Sequence, residues 1–139
     1  MRADRPHALL ITLAALLAGG ACAADNVVVI GHPNIAALDA ITLEKVYTGR
    51  VIEVNGIAVT AINASAGSAV RSRFLHLFLH QDEDKYTAYW VVRRYIGKGA
   101  PPRELTGSAA ILEFVRSTPG AIGYVEESEI QPGVKVLLK

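Results

Sequence analysis

Cysteine is nearly absent from this chain of 139 residues, and the single one, Cys22, lies near the N-terminus. With no second thiol, no disulfide frame and no thiolate metal site can form. Charge of one sign is lacking too: 14 basic side chains face 13 acidic ones, and no basic tract stands out. That excludes an electrostatic footprint for nucleic acid. Long apolar runs are missing as well. The longest, Ala8 to Leu17, is too short to span a bilayer.

That run has its own explanation. Met1-Arg2-Ala3-Asp4-Arg5 is a short basic start, and small residues ending in Ala21-Cys22-Ala23 follow the apolar stretch. The pattern reads as a secretory signal spanning residues 1–23, cleaved after Ala23, which leaves a single domain from Ala24 to Lys139 in a periplasmic or secreted location. Lipidation of Cys22 is the rival reading, although Gly19 stands where lipoprotein signals carry a bulky aliphatic residue. Cleavage removes Cys22, Arg2, Arg5 and Asp4, leaving a charge-balanced domain long enough to bury a core.

Within the domain, the stretch from Val59 to Phe74 carries the most chemistry. Gly56 to Ile62 is apolar and β-branched, a buried strand. Asn63-Ala64-Ser65-Ala66-Gly67-Ser68 is small and polar, a tight turn. Val70, Phe74, Leu77 and Phe78 then fall on one face of a helix. Strand, loop and helix together deliver unpaired backbone N–H groups and the positive end of a helix dipole to the loop. Ser65, Gly67, Ser68 and Arg71 form the candidate oxyanion site on this reading. A plain N-cap at Ser65 or Ser68 with a solvated Arg71 accounts for the same residues.

Elsewhere, Val27 to Ile30 reads as a strand buried on both faces, ending at Gly31-His32-Pro33-Asn34. His32, past the strand's end, is either a ligand-side residue or ordinary turn surface. Ile41 to Gly49 has a helix pattern with Thr42 as N-cap and Gly49 as stop, and Asn55-Gly56 marks a turn. His76 and His80, at i and i+4, read as a polar helix face rather than metal ligands, since no H-E-x-x-H pattern accompanies them. Asp82-Glu83-Asp84 opens a helix in which Tyr86, Tyr89, Trp90, Val91, Val92, Tyr95 and Ile96 read as a broad face packed against a sheet. A loop of Gly and Pro over residues 97–102, a helix led by Thr106-Gly107-Ser108, a strand Ala121 to Val125 and a closing strand Val134 to Leu138 complete the order. The expected fold class is α/β, with a small mixed sheet of about four strands flanked by helices. No Ser/His/Asp order or carboxylate pair supports catalysis, and neither a cofactor nor a metal is called for.

Several of these segments occur together in one family. Ile41-Thr-Leu-Glu-Lys-Val-Tyr-Thr-Gly-Arg50, the Asn55-Gly56 turn, the small-residue loop with Arg71-x-x-Phe74, Tyr89-Trp90, Gly97-Lys98-Gly99-x-Pro101-Pro102 and Pro119-Gly-Ala-Ile-Gly-Tyr-Val125 resemble, in this order, the phosphate ABC-transporter substrate-binding proteins. The resemblance implies a type 2 periplasmic-binding fold, here a single lobe, a periplasmic address and a non-catalytic role. It implies phosphate or a related oxyanion as ligand at Ser65 to Arg71, with an ABC transporter or another envelope protein as partner. The family's full members carry Gly-Ser-Gly-Thr in that loop where this chain has Ser65-Ala66-Gly67-Ser68-Ala69, without the threonine, and they are more than twice as long. The alternative implied by those departures is an envelope protein-interaction module that keeps the fold without the ligand site.

Overall fold

The computed structural model describes residues 26–139. The expected signal, its cleavage point and Cys22 lie outside the described residues. Val27–Gly31 forms β1, buried along its whole length as its β-branched run requires. Helix α1 covers Ala40–Tyr47, and a short hairpin pairs β2 (Glu53–Val54) with β3 (Ile57–Ala58). Strand β4 (Thr60–Ala64) leads into α2 (Ala69–Phe74), which runs on as a π-helical turn over Leu75–Leu79. Helix α3 (Glu83–Tyr95), β5 (Arg103–Leu105), α4 (Ser108–Ser117), β6 (Ala121–Glu126), a 3-10 turn (Glu127–Glu129) and β7 (Lys135–Leu138) follow.

The main sheet has five strands in the order β5-β4-β6-β1-β7. Strand β4 runs parallel to both β5 and β6, whereas β1 is antiparallel to β6 and β7. The mixed α/β architecture agrees with the sequence pattern, with one strand more in the sheet than expected. The extra member, Arg-Glu-Leu in β5, is three residues long and without alternation, so only its pairing with β4 makes it a strand. The stretch from Gly56 to Ile62, expected as one strand, divides at Val59. Its first half folds back through Asn55 and Gly56, both at positive φ, and Thr60 onward joins β6.

Three further expectations need correction. Asp39, not Thr42, caps α1: its Oδ1 accepts from Thr42 N at 2.6 Å, which starts the helix earlier. His80 adopts the left-handed conformation (φ 53°) and ends the π turn, so it leaves the helical face on which i, i+4 spacing put it beside His76. Helix α3 buries only Tyr86 and Trp90, while Val91, Val92, Tyr95 and Ile96 are exposed. It is moored at the end of α1 rather than laid across the sheet: Tyr86 Oη donates to Tyr47 O (2.9 Å) and Tyr89 Oη to Thr48 O (2.7 Å).

The core packs α1, α2 and α4 on the sheet. Phe74 stacks on Tyr124 with centroids 3.8 Å apart, and Tyr47 and Phe78 tilt against Phe74. Each such ring contributes roughly 2–3 kcal/mol through burial. On β6 a Cβ at Gly123 would come within 2.9 Å of Ile111, so α4 approaches the sheet closely there. Among the described residues no helix is long and apolar enough to cross a membrane.

Candidate functional site

Topology alone brings three chain segments together. Because β5, β4 and β6 are parallel, their C-terminal ends share one edge of the sheet, where open α/β sheets place ligands. The loop after β4 (Ser65–Ser68), the loop after β5 (Thr106–Gly107) and the turn after β6 (Glu127–Glu129) therefore meet. Strand β1 runs the other way, so His32 lies at the opposite edge. There its Nδ1 is 2.7 Å from Asn34 Oδ1, which accepts from Gly120 N, and the residue belongs to a turn.

The meeting point is a hollow of about 350 Å³. Ser65, Ser68, Thr106 and Ser108 line it, together with Glu126 and Glu129. Ser65 Oγ lies 3.0 Å from Thr106 Oγ1. Ser68 is the N-cap of α2, yet its side chain makes no capping bond, and its buried Oγ has no hydrogen-bond partner. Such an orphaned hydroxyl costs about 1–3 kcal/mol unless something in the hollow meets it. Gly67 stands at the loop tip at φ 81°, with nothing within 4 Å of where a Cβ would lie, so its backbone is open to approach. The N-terminus of α4, begun at Gly107, is met by an internal anion: Ser108 Oγ donates to Glu129. Glu126 is paired with Arg73.

Arg71 does not join this group. Its side chain goes to the far side of the loop, into a second hollow of about 340 Å³ also lined by Tyr86, Trp90 and Pro102. There it is clasped. Nε and Nη2 donate to the two oxygens of Glu83 (2.9 and 2.6 Å), and Nη1 donates to Glu104 (2.6 Å) and Ala64 O (3.2 Å). Burial works against its charge, but the hydrogen bonds and charge of Glu83, and then the bond to Glu104, outweigh it and raise its pKa. The expected solvated or anion-facing Arg71 is thus a buried cation under two carboxylates. It ties the loop to the start of α3 and to β5.

Beneath the loop runs a chain of buried hydroxyls. Tyr124 Oη accepts from Ala64 N (3.0 Å) and donates to Asn63 Oδ1 (3.0 Å), while Asn63 Nδ2 donates to Tyr86 Oη (3.1 Å). Tyr47 Oη donates to Ile62 O (2.8 Å). Burial pushes the pKa of Tyr47, Tyr86 and Tyr124 upward, so all three remain neutral donors. Of the expected set, Ser65 and Ser68 line the first hollow, Gly67 stands at the exposed loop tip between them, and Arg71 lines the second hollow. Glu126, Glu129 and Glu104 carried no signal in the sequence. Thr106-Gly107-Ser108 did, since it repeats the small-polar composition that marked the first loop.

No family model matches the chain, and no curated protein matches it. Solved structures do. An ABC-type phosphate transport receptor from Vibrio cholerae superposes with a TM-score of 0.64 at 14% identity, over 81% of this chain and 45% of that one. A protein assigned as a phosphate ABC transporter substrate-binding protein, with bound phosphate, from Clostridium perfringens gives 0.64 at 19%, over 81% and 44%. PstS from Borrelia burgdorferi gives 0.61 at 18%, over 82% and 47%. The chain shares their fold and spans less than half of their length.

Proposed function

We propose that this protein is a non-catalytic, periplasmic solute-binding module that receives phosphate or a similar oxyanion, weakly, at the loop Ser65–Ser68. One observation carries the reading: the buried Oγ of Ser68, without a partner, at a helix start beside the hydroxyls of Ser65, Thr106 and Ser108. The first-turn N–H groups of α2, whose Ala69 and Val70 line the hollow, supply further donors. The likeness in fold to phosphate receptors is consistent with it. Arg71 acts by holding the loop through Ala64 O rather than by touching the ion.

Affinity is limited on two counts. The hollow is open on one side, so an oxyanion keeps part of its hydration, and Glu126 and Glu129 oppose its charge. A dissociation constant in the millimolar range, about −4 kcal/mol, follows. Thermal unfolding with phosphate titrated from micromolar to tens of millimolar tests the reading, with sulfate and chloride at matched ionic strength as controls. A millimolar site stabilises the fold by about 2 kcal/mol at the top of that range, several degrees in Tm. A flat response, or equal shifts with all three anions, excludes the ligand. The second reading, a protein-interaction module of the cell envelope that has lost its ligand, then takes its place. The bare outer side of α3 favours it.

A further inference from the structure

The hydroxyl-lined hollow is larger and more varied than a tetrahedral ion requires. Its volume of about 350 Å³ equals on the order of ten water molecules at about 30 Å³ each, at the small end of the range for pockets that enclose whole organic molecules. Beside the hydroxyls, Ala69, Val70, Ile111 and Val125 form part of the wall. An inorganic oxyanion gains nothing from such surface, because apolar atoms offer it neither donors nor charge. A carbon chain does gain.

The charge of the hollow leads to the same kind of ligand. Two carboxylates line it, Glu126 and Glu129. Glu126 is offset by its ion pair with Arg73. Glu129 has a neutral partner, the hydroxyl of Ser108, and among the described residues it forms no ion pair. Glu129 is therefore the uncompensated charge of the hollow. One of its oxygens accepts from Ser108, and a carboxylate has a second to offer. A bare oxyanion meets this charge as repulsion, whereas an ammonium group would make a charge-assisted hydrogen bond with it.

We propose that the hollow takes an organic phosphate carrying an ammonium group on a short carbon arm, an aminoalkyl phosphate monoester of the phosphoethanolamine type. The inference rests on the oxyanion reading of Ser65–Ser68 and names the ligand class for it. The phosphate meets the hydroxyls of Ser65, Ser68 and Thr106, the methylenes lie along the apolar wall, and the ammonium donates to Glu129. Near neutral pH the ester is close to a dianion and the amine is protonated. Such a ligand turns Glu129 from an opponent of binding into a partner.

Thermal unfolding of the purified protein tests this, with inorganic phosphate, ethyl phosphate, phosphoethanolamine and glycerophosphoethanolamine titrated near neutral pH at matched ionic strength. Phosphoethanolamine is expected to bind more tightly than ethyl phosphate, and ethyl phosphate more tightly than inorganic phosphate, with the first on the order of tenfold tighter than the last. Glu129→Gln keeps an acceptor for Ser108 and removes the counter-charge. It weakens phosphoethanolamine binding several-fold while strengthening that of inorganic phosphate. Inorganic phosphate binding as tightly as phosphoethanolamine overturns the inference and leaves the oxyanion reading standing. No stabilisation by any of the four overturns both. A preference for phosphoethanolamine that survives Glu129→Gln contradicts the seat of the ammonium. Equal binding of glycerophosphoethanolamine, the diester as it stands in a lipid headgroup, overturns the free monoester as the ligand.

Discussion

The loop from Ser65 to Arg71 has two sides, and they are built on opposite principles. On one side Arg71 is buried and satisfied, with Glu83, Glu104 and Ala64 O taking four of its donor contacts. On the other, hydroxyls gather around Ser68 with its Oγ unmet. A side chain with its donors already taken has little left to offer an ion, whereas an unmet hydroxyl beside other hydroxyls has a donor to give. The charged residue, which composition alone makes the obvious anion ligand, is thus the structural one. The neutral serine is the functional candidate.

The largest effect expected of this contrast concerns pH and belongs to the buried side. Tyr47, Tyr86 and Tyr124 have folded pKa values above the ordinary 10.0. Their contribution is complete below pH 10 and is lost as pH rises toward the folded values, because the unfolded chain releases protons that the fold retains. Stability therefore falls above pH 10 with a slope of up to about 1.4 kcal/mol per pH unit for each tyrosine. In a variant with Tyr89→Phe and Tyr95→Phe, which keeps only the three buried phenols, phenolate absorbance and circular dichroism should change together, and phenolate appearing there in a chain that stays folded would contradict the buried network.

Next in size is Arg71→Leu. It leaves two carboxylates without their cation, though both are partly exposed and regain water, so the cost is about 2–3 kcal/mol in urea unfolding. A loss below about 0.5 kcal/mol would make the clasp incidental. Glu129→Gln keeps an acceptor for Ser108 and removes one negative charge from the hollow. Phosphate affinity should rise several-fold, about 1 kcal/mol, read from the same thermal titration. Unchanged or weaker affinity would place the ion elsewhere. Ser68→Ala is expected to lose no stability without ligand, since no bond is lost and an unmet hydroxyl is removed, but to show reduced stabilisation by phosphate. A large stability loss would show that Ser68 is a cap after all.

Much of the fold is visible in the sequence because it rests on local pattern. The Val27–Ile30 run, the Asn55-Gly56 turn, the four helices and the small-residue loop all depend on neighbours a few residues apart. What escapes is set by distant partners. Arg71 meets Glu83 and Glu104, 12 and 33 residues away, and no spacing rule links them. Strand β5 exists only because β4 lies beside it. Helix α3 carries apolar residues around most of its circumference, so its pattern shows that it is sticky without showing which side meets the core. The candidate site was half legible for the same reason. Composition marks Ser65, Gly67 and Ser68 as a loop at a helix start, whereas the direction of a long side chain leaving that helix is decided by the carboxylates waiting for it.

The most direct measurement is a phosphate titration of the 15N-labelled protein followed by amide shifts. Binding on the hydroxyl side moves the amides of Ser65 to Val70 and of Thr106 to Ala109, with saturation in the millimolar range, and leaves those of Glu83, Thr87 and Glu104 in place. Shifts centred on Glu83 and Glu104, or none that sulfate does not equally produce, would contradict the division of the loop into a bound side and a binding side.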